Sequence, residues 1–269
     1  METSTAGSMN PSIGKSRARE ARTSAPTGHP VCSAAAMDTS PHSRSLMNAE
    51  RRFADRRDAG RQLAARLSAY AHRDDVTVLA LPRGGVPVGA EIARILDAPL
   101  DILVVRKLGL PGQPEYAMGA IASGDVRVLN TQVLQQLAIS YSAVDLVTRA
   151  ETRELHRREK LYRGDRPMPV LEGRQVILVD DGMATGASMR AGAQALREMR
   201  PARIVVAVPV SAPETCHLIS QDADEVICAR TPERFRSVGQ WYERFEQTTD
   251  EEVRRLLVAA PDLSTTARA

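Results

Sequence analysis

Two adjacent carboxylates and a turn of small residues share one thirteen-residue stretch, VILVDDGMATGAS, at residues 176–188. An apolar run precedes Asp180 and Asp181, and the turn, residues 184–188, follows them. Unsatisfied N–H groups and the positive dipole end at a helix start bind anions such as phosphate. The carboxylates would repel a phosphate unless they met sugar hydroxyls or a divalent cation. The stretch therefore predicts a sugar-phosphate site, with the sugar hydroxyls on the acids and the phosphate in the turn.

The side chains of this turn fit an anion site. Thr185 and Ser188 carry hydroxyl groups that can donate to phosphate oxygens. Ala184, Gly186 and Ala187 are small enough to let a phosphate approach the backbone. No lysine follows the glycine, which argues against a nucleoside-triphosphate loop.

A second segment, LPRGGVPVGAEIA at residues 81–93, places two glycines between an apolar run and a helical pattern. Gly84 and Gly85 permit a close backbone approach to an anion, and Arg83 adds a positive charge. Alone, the segment could equally be a Pro/Gly turn that leads into a helix. Beside an acidic pair and a phosphate turn, it predicts a second anion-binding loop.

A third segment, VVRKLGLPGQPEYAMGA at residues 104–120, puts two cations at the end of an apolar run. The Gly/Pro-rich residues that follow predict a mobile loop over about residues 106–117. Arg106 and Lys107 could balance charge on a departing anion, and Glu115 could serve as an acid or base. Solvated surface charges are the alternative for all three side chains.

The elements that must position these segments alternate between strands and helices. Apolar, β-branched runs predict strands that are covered on both faces, as in a parallel sheet. The predicted strands are 76–81, 100–105, 176–179, 204–210 and 226–229, and the predicted helices between them are 86–96, 187–199 and 213–220. The alternation predicts a doubly wound α/β fold with a mainly parallel five-stranded sheet. In such sheets ligands bind beyond the carboxyl ends of the strands.

Several insertions flank this core. Helical spacing of apolar residues predicts an amphipathic helix over about residues 55–70, before the first strand. The stretch MGAIASGDVRVLN, residues 118–130, predicts a β-hairpin around its Gly-Asp pair. A charged helix is expected over about residues 142–161, with a solvated face.

The tail of the chain is expected to form a small C-terminal hood over about residues 230–260. It contains Trp241, Tyr242 and Phe245 in a chain with few aromatic residues. Because large side chains dominate burial, we expect these rings to pack the tail onto the core. Stacking of the rings on a ligand is the alternative.

Residues 1–48 are rich in Ser, Thr, Ala, Gly and Pro and predict a disordered extension, or a start site assigned upstream of Met47. The folded domain is then 49–269. The extension carries a formal charge of +2 out of the total of +3. The domain is thus nearly neutral, which argues against nucleic acid as a partner.

The cysteine spacing and the hydropathy of the sequence predict the cellular compartment of the protein. Cys32, Cys216 and Cys228 lie in no C-x-x-C spacing, so we expect free thiols in a reducing compartment, without a disulfide framework. No apolar run reaches membrane-spanning length, and no signal-peptide core is present. These features predict a cytoplasmic protein without a membrane partner.

The stretch VILVDDGMATGAS closely resembles the phosphoribosyl-pyrophosphate (PRPP) signature of type I phosphoribosyltransferases. The resemblance covers about residues 53–257. It extends to a bacterial subgroup of predicted phosphoribosyltransferases that share the patterns RGG, VVRKLG, DDGxATG and VGQxYxxFxQ. Many family members have Gly-Gly-Thr where this chain has Gly186, Ala187 and Ser188.

The resemblance implies roles for the three segments. Asp180 and Asp181 would hold the ribose hydroxyls, and residues 184–188 the 5′-phosphate. Arg83, Gly84 and Gly85 would form the pyrophosphate loop. The loop at 106–117 would close over the reacting centre and exclude water.

The implied reaction is displacement of pyrophosphate from PRPP by a nitrogen acceptor such as a nucleobase, assisted by Mg²⁺, in nucleotide metabolism. Mg²⁺ would bind at Asp180 and Asp181, directly or through the PRPP hydroxyls. The 6-oxopurine enzymes have an aspartate where this chain has Ala184, which disfavours their substrates. An adenine-like or unusual acceptor stays open, as does the oligomeric state, a homodimer included.

Two other classes of function remain as alternatives. A regulator could keep the PRPP-binding fold and bind nucleic acid, although the near-neutral domain disfavours it. A Mg²⁺-dependent phosphohydrolase acting on a sugar phosphate could use Asp181 as a nucleophile.

Overall fold

The structure is a computed structural model, and it describes residues 52–260. The predicted N-terminal extension, residues 1–48, lies outside the described residues, as does Cys32. The strands are β1 (Val76–Ala80), β2 (Leu100–Ile102), β3 (Val105–Leu110), β4 (Gln113–Ala122), β5 (Val126–Leu129), β6 (Gln175–Val179), β7 (Arg203–Val210) and β8 (Glu225–Arg230). The helices are α1 (Arg56–Ala64), α2 (Gly85–Leu96), α3 (Thr131–Gln136), α4 (Tyr141–Arg163), α5 (Ala187–Glu198), α6 (Pro213–Ile219) and α7 (Asp250–Ala259). Two 3₁₀ helices, Ala65–Tyr70 and Val238–Trp241, complete the fold.

A five-stranded parallel sheet forms the centre, in the order β2-β1-β6-β7-β8. This confirms the predicted α/β class and the parallel sheet. The chain moves outward from β1 to β2 on one side and from β6 to β7 to β8 on the other. The boundary between β1 and β6 is therefore the topological switch point, where a doubly wound sheet opens its ligand crevice.

Both faces of this sheet are covered, as the near-continuous apolar runs predict. On β6, Ile177 and Val179 face a core that includes apolar residues of α1 and α2. The alternate residues, Val176 and Leu178, face a second core that α5 and α6 complete. Burial on both sides removes each strand from water, so polar groups on β6 can appear only at its ends.

The segment predicted as a mobile loop forms regular structure. β3 and β4 pair as an antiparallel hairpin with irregular register around Gly109, and β5 extends it to a three-stranded sheet, β3-β4-β5. The expected hairpin at 118–130 is confirmed, because positive φ at Gly124 (79°) and Asp125 (58°) lets the chain reverse between β4 and β5. The predicted strand 100–105 is divided, since the chain leaves the parallel sheet after Ile102.

The charged helix predicted at 142–161 is α4, and it packs on this smaller sheet. Its N-terminus is capped by the Ser140 hydroxyl, which accepts a hydrogen bond from the Ala143 amide. Leu155 of α4 shares one buried core with Leu108 of β3 and Met118 of β4. None of the helices among residues 52–260 is both long and apolar enough to span a bilayer.

The expectation of free thiols is wrong for two of the three cysteines. Cys216 on α6 and Cys228 on β8 are joined by a disulfide. They are 12 residues apart in sequence, so no test of C-x-x-C spacing detects them. The fold brings them together because α6 is the crossover that leads from β7 to β8.

Candidate functional site

The acidic pair lies directly at the switch point. β6 ends at Val179, so Asp180 and Asp181 extend from the carboxyl end of the central strand. The neighbouring strand, β1, ends at Ala80 and leads into the loop that ends at Gly84, the N-cap of α2, which begins at Gly85. Because parallel strands end on the same edge, the two predicted ligand loops face each other across the crevice.

The two loops are in contact, and glycine makes that contact possible. A Cβ on Gly84 would lie 2.7 Å from Cγ of Asp181, and nearer still to its Oδ2. A Cβ on Gly85 would lie 2.7 Å from the Val179 carbonyl oxygen and 2.9 Å from Cα of Asp180. Gly84 has helical φ and ψ (−59° and −35°), so its requirement for glycine is steric and does not come from the backbone conformation.

The predicted phosphate turn is anchored at its start. The Met183 amide donates to the Val210 carbonyl at 2.9 Å, and the Thr215 hydroxyl donates to the Ala184 carbonyl at 2.7 Å. Gly186 adopts a left-handed φ of 70°, and a Cβ there would lie 2.8 Å from the Thr215 Cγ2. α6, which carries Thr215, therefore supports the turn from beneath.

The upper surface of the turn is open. Thr185, Ala187 and Ser188 are exposed. α5 begins at Ala187, and its N-cap residue, Gly186, has no side chain that could satisfy the amides of the first turn. The Ala187 amide makes one long hydrogen bond, 3.5 Å, to the Thr185 hydroxyl oxygen. Amide donors at a helix start, next to two hydroxyl side chains, suit a phosphate group.

The electrostatics of the acidic pair favour a ligand that neutralises it. Burial, and then the charge of Asp181, raise the pKa of Asp180 well above its usual range. Burial also raises the pKa of Asp181, while the guanidinium of Arg56 opposes that shift. Hydroxyl donors or a cation would stabilise both carboxylates in the ionised form.

Two side chains that the sequence did not predict at this site, those of Arg56 and Tyr242, donate hydrogen bonds to Asp181. Nε of Arg56, in the first turn of α1, donates to Oδ2 of Asp181 at 2.8 Å. The hydroxyl of Tyr242 donates to the Asp181 carbonyl oxygen at 2.6 Å. Arg56 lies in a run of charged residues that resembles any solvated helix start, so the local sequence carries no signal for this contact.

The acid that these contacts leave available is Asp180. Within the described residues, its carboxylate accepts one hydrogen bond, from the Asp181 amide at 2.8 Å. Asp181 instead shares its Oδ2 with Arg56, and its side chain is only 15% exposed. The two predicted sugar-binding acids are therefore unequal.

The structure distributes the predicted basic residues over several places. Arg83 lies beside Gly84 at the crevice, where its Nη1 is 3.7 Å from Oδ1 of Asp250 on α7. Arg106 on β3 turns to α4 and pairs with Glu151 at 2.6 Å.

Lys107 lies on the opposite face of β3, because successive side chains of a strand alternate. That face includes Val105, whose Cγ2 lies 3.6 Å from where a Cβ on Gly192 of α5 would be. Lys107 therefore lies on the face of β3 that faces α5, the helix that starts at the phosphate turn. Glu115 falls within β4, but its side chain lies outside the described part of the structure.

The aromatic tail packs as expected at Tyr242. This side chain is 3% exposed, and its ring centroid lies 5.4 Å from that of Phe53 and 4.9 Å from that of Phe245. Trp241 is partly buried, and its Nε1 is the one buried side-chain polar atom without a hydrogen-bond partner among the described residues. The Tyr242 ring therefore packs in the core, and its hydroxyl binds the backbone carbonyl of Asp181.

A divalent cation at this site would take most of its coordinating atoms from the bound substrate and water, because the protein offers few. No cluster of three or more His, Cys, Asp or Glu side chains that could hold a metal occurs among residues 52–260. Asp180 and Asp181 offer a pair of carboxylates. Two carboxylates fit Mg²⁺, which binds proteins through one or two such groups and takes its remaining ligands from water and substrate phosphates.

Comparisons with known proteins agree on one family. The family model described as "Phosphoribosyl transferase domain" matches residues 54–240. Two curated proteins from strains of Mycobacterium tuberculosis, provisionally named phosphoribosyl transferases, are 48% identical to the chain over 201 residues. That match covers 75% of this chain and 45% of theirs, so the chain spans about half the length of these relatives. The crystal structure of TT1426 from Thermus thermophilus is similar with a TM-score of 0.71 and 41% identity, over 77% of this chain and 98% of that one.

Proposed function

This chain belongs to the phosphoribosyl transferase family, and from that premise we propose that it transfers the 5-phosphoribosyl group of PRPP to a nitrogen acceptor with release of pyrophosphate. One observation supports this proposal above the others. At the switch point of the sheet, the acidic pair Asp180–Asp181 touches the glycine loop at Gly84 and is continuous with the open phosphate turn. A pentose with a phosphate at one end and a pyrophosphate at the other matches those three parts.

The division of work follows from the chemistry of each part. The carboxylates of Asp180 and Asp181 accept hydrogen bonds from the ribose hydroxyls, and Asp181 does so while Arg56 binds its Oδ2. The amides and hydroxyls of Thr185 and Ser188 hold the 5′-phosphate. The backbone at Gly84 and the charge of Arg83 bind the pyrophosphate. Since the transition state separates charge between the ribose and its leaving group, catalysis here is positioning and electrostatic stabilisation.

Mg²⁺ is the proposed cofactor, held by Asp180 and Asp181 directly or through PRPP hydroxyls. When bound, it supplies positive charge that offsets the charge of the pyrophosphate oxygens. Lys107 on the β3–β4 hairpin adds to that charge, while Arg106 braces the hairpin against α4 through Glu151. The hairpin excludes water, the competing nucleophile, from the reacting carbon.

Calorimetric titration with PRPP and Mg²⁺ tests the binding half of the proposal. Asp180→Asn is expected to raise the PRPP dissociation constant at least tenfold, about 1.4 kcal/mol, because an amide cannot replace the charged acceptor. Asp97→Asn is the matched control, since Asp97 lies on the surface with a 72% exposed side chain. Equal PRPP affinity in wild type and the Asp180 variant would contradict the assignment.

A pyrophosphate-release assay with purines, pyrimidines and simple amines tests the transfer half. Release that requires PRPP, Mg²⁺ and one added acceptor supports the transferase. Phosphate release without any acceptor, with a trapped aspartyl-phosphate at Asp181, would support a phosphohydrolase instead. PRPP binding without turnover, together with salt-sensitive retention of nucleic acid, would support a regulator.

A further inference from the structure

Residues 53–56, near the start of the described chain, pair with residues 241–246 next to the acidic pair. Phe53 and Tyr242 form a parallel β-bridge, in which the Phe53 amide donates to the Trp241 carbonyl and the Glu243 amide donates to the Phe53 carbonyl, both at 2.8 Å. Asp55 adds an ion pair with Arg244 at 2.7 Å. We call residues 53–56 and 241–246 together the terminal clamp.

Arg56 is the part of the clamp that reaches the site. Its Nε donates to Oδ2 of Asp181 at 2.8 Å, and its Nη1 donates to the Glu246 carbonyl at 2.6 Å. Its Cζ lies 3.9 Å from the centre of the Phe245 ring, a cation–π distance. The guanidinium is thus held by a carboxylate, a carbonyl and an aromatic face, and its side chain is 12% exposed.

Asp181 is held at two points in turn. Arg56 binds its carboxylate, and Tyr242 binds its carbonyl oxygen at 2.6 Å. Gly84 leaves no room for the carboxylate to move towards the glycine loop. If the Arg56 side chain were lost, the Asp181 carboxylate would lose the donor that fixes its orientation, and it would no longer be held in one position.

We infer that Arg56 is a positioning residue for PRPP: it holds the Asp181 carboxylate in the orientation that the ribose requires, without touching the substrate. This inference rests on the function proposed above. The terminal clamp makes PRPP affinity dependent on a residue outside all three ligand loops. A lysine cannot replace Arg56 fully. One ammonium group cannot stack on Phe245 and also bind the Asp181 carboxylate and the Glu246 carbonyl oxygen in the same geometry.

The test compares Arg56→Leu with Arg57→Leu, its neighbour on α1. Arg57 is 45% exposed and makes one long contact with Glu252, 3.9 Å, so its variant controls for loss of a helix cation. Calorimetry in the presence of Mg²⁺ is carried out with PRPP and, separately, with inorganic pyrophosphate, which has no ribose. For Arg56→Leu we expect the PRPP dissociation constant to rise at least tenfold, with pyrophosphate affinity within twofold of wild type; Arg57→Leu should match wild type for both ligands.

The split between the two ligands separates positioning from a merely structural role. A general loss of folded protein would weaken both ligands equally, and that result would overturn the inference. So would wild-type PRPP affinity in Arg56→Leu. In an Asp181→Asn background, Arg56→Leu should have no further effect on PRPP, because the carboxylate it orients is absent.

Two further results complete the design. If Arg56→Leu does not fold, Arg56→Lys takes its place: a PRPP affinity reduced at least threefold with unchanged pyrophosphate affinity supports the inference, and unchanged PRPP affinity overturns it. If wild type itself does not bind PRPP, the proposed function fails and this inference fails with it. If wild type binds PRPP and the Arg56 variants bind equally well, only this inference fails.

Discussion

A methyl group added at Gly84 should act chiefly on Asp181, whose side chain supplies the three nearest heavy atoms. Because Gly84 already has helical φ and ψ, the backbone accepts alanine, and the smaller entropy of the unfolded chain would favour Gly84→Ala by about 0.4–1 kcal/mol. The new Cβ, however, would lie 2.7 Å from Cγ of Asp181. Ordinary carbon–carbon contact begins at about 3.5 Å, so the carboxylate must retreat by nearly 1 Å.

That retreat has two measurable costs. Overpacking of this kind costs about 1–3 kcal/mol, which exceeds the backbone gain. The 2.8 Å contact with Arg56 must also lengthen or rotate. We therefore expect Gly84→Ala to lower the free energy of unfolding by about 1–2 kcal/mol and to weaken PRPP binding at least tenfold.

Denaturant unfolding in two backgrounds checks the reasoning. In Asp181→Ala, the Cγ and carboxylate oxygens are gone, so Gly84→Ala should become neutral or stabilising by about 0.5 kcal/mol. An equal loss of stability in both backgrounds would show that the clash is with another group. A Gly84→Ala protein as stable as wild type and with full PRPP affinity would refute the contact between the two loops.

Three further predictions concern the supports of the site and the fold. Thr215→Val, which removes the hydroxyl bound to the phosphate turn, should cost about 1 kcal/mol in chemical denaturation and weaken PRPP binding severalfold in calorimetry. Cys216→Ser opens the loop closed by the bond to Cys228 and should lower the free energy of unfolding by about 3 kcal/mol, as should thiol reduction of wild type; a reductant-insensitive melting temperature would contradict the disulfide. The pKa of Asp75 is lowered to about 2 by hydrogen bonds from its arginine and glutamine partners, so its contribution is present above about pH 4 and lost as the pH falls towards 2. As the side chain is 46% exposed, Asp75→Asn should cost only about 0.5 kcal/mol at pH 7, and pH-dependent melting should show the difference vanish near pH 2.

The central sheet was predictable because burial on both faces leaves a mark on the sequence. β1, β6 and β7 each contain a near-continuous apolar run, interrupted in β1 by Thr77, and the helices between them keep helical spacing. The small sheet was only partly predictable. Its hairpin at Gly124 has a local turn signal. By contrast, β3 contains Gly109, and Pro111 and Gly112 connect it to β4, so the local sequence favours a loop there. Pairing with β5 and packing on α4 override that preference.

The segments proposed as ligand loops stand out in the sequence for a related reason. Paired acids after a strand, or two glycines beside an arginine, are combinations that a plain core segment has no cause to contain. The disulfide offers no such combination, since Cys216 and Cys228 meet only after α6 and β8 are placed. The inequality of Asp180 and Asp181 is equally hidden, because it arises from contacts with α1 and the tail.

The contacts of Asp181 with α1 and the tail indicate which substitutions outside the ligand-binding segments should change PRPP affinity. Arg56 reaches Asp181 across 125 residues of sequence, and Tyr242 reaches it across 61. An arginine in a charged helix start and a tyrosine among tail aromatics are ordinary where they stand, and their partners cannot be read from spacing. Yet Arg56 fixes the carboxylate of Asp181 and Tyr242 its carbonyl oxygen, and Gly84 is packed against the same side chain, so loss of either partner changes the position of Asp181. Substitutions in the terminal clamp should therefore alter PRPP affinity as strongly as substitutions in the ligand loops, although no clamp side chain is proposed to touch PRPP.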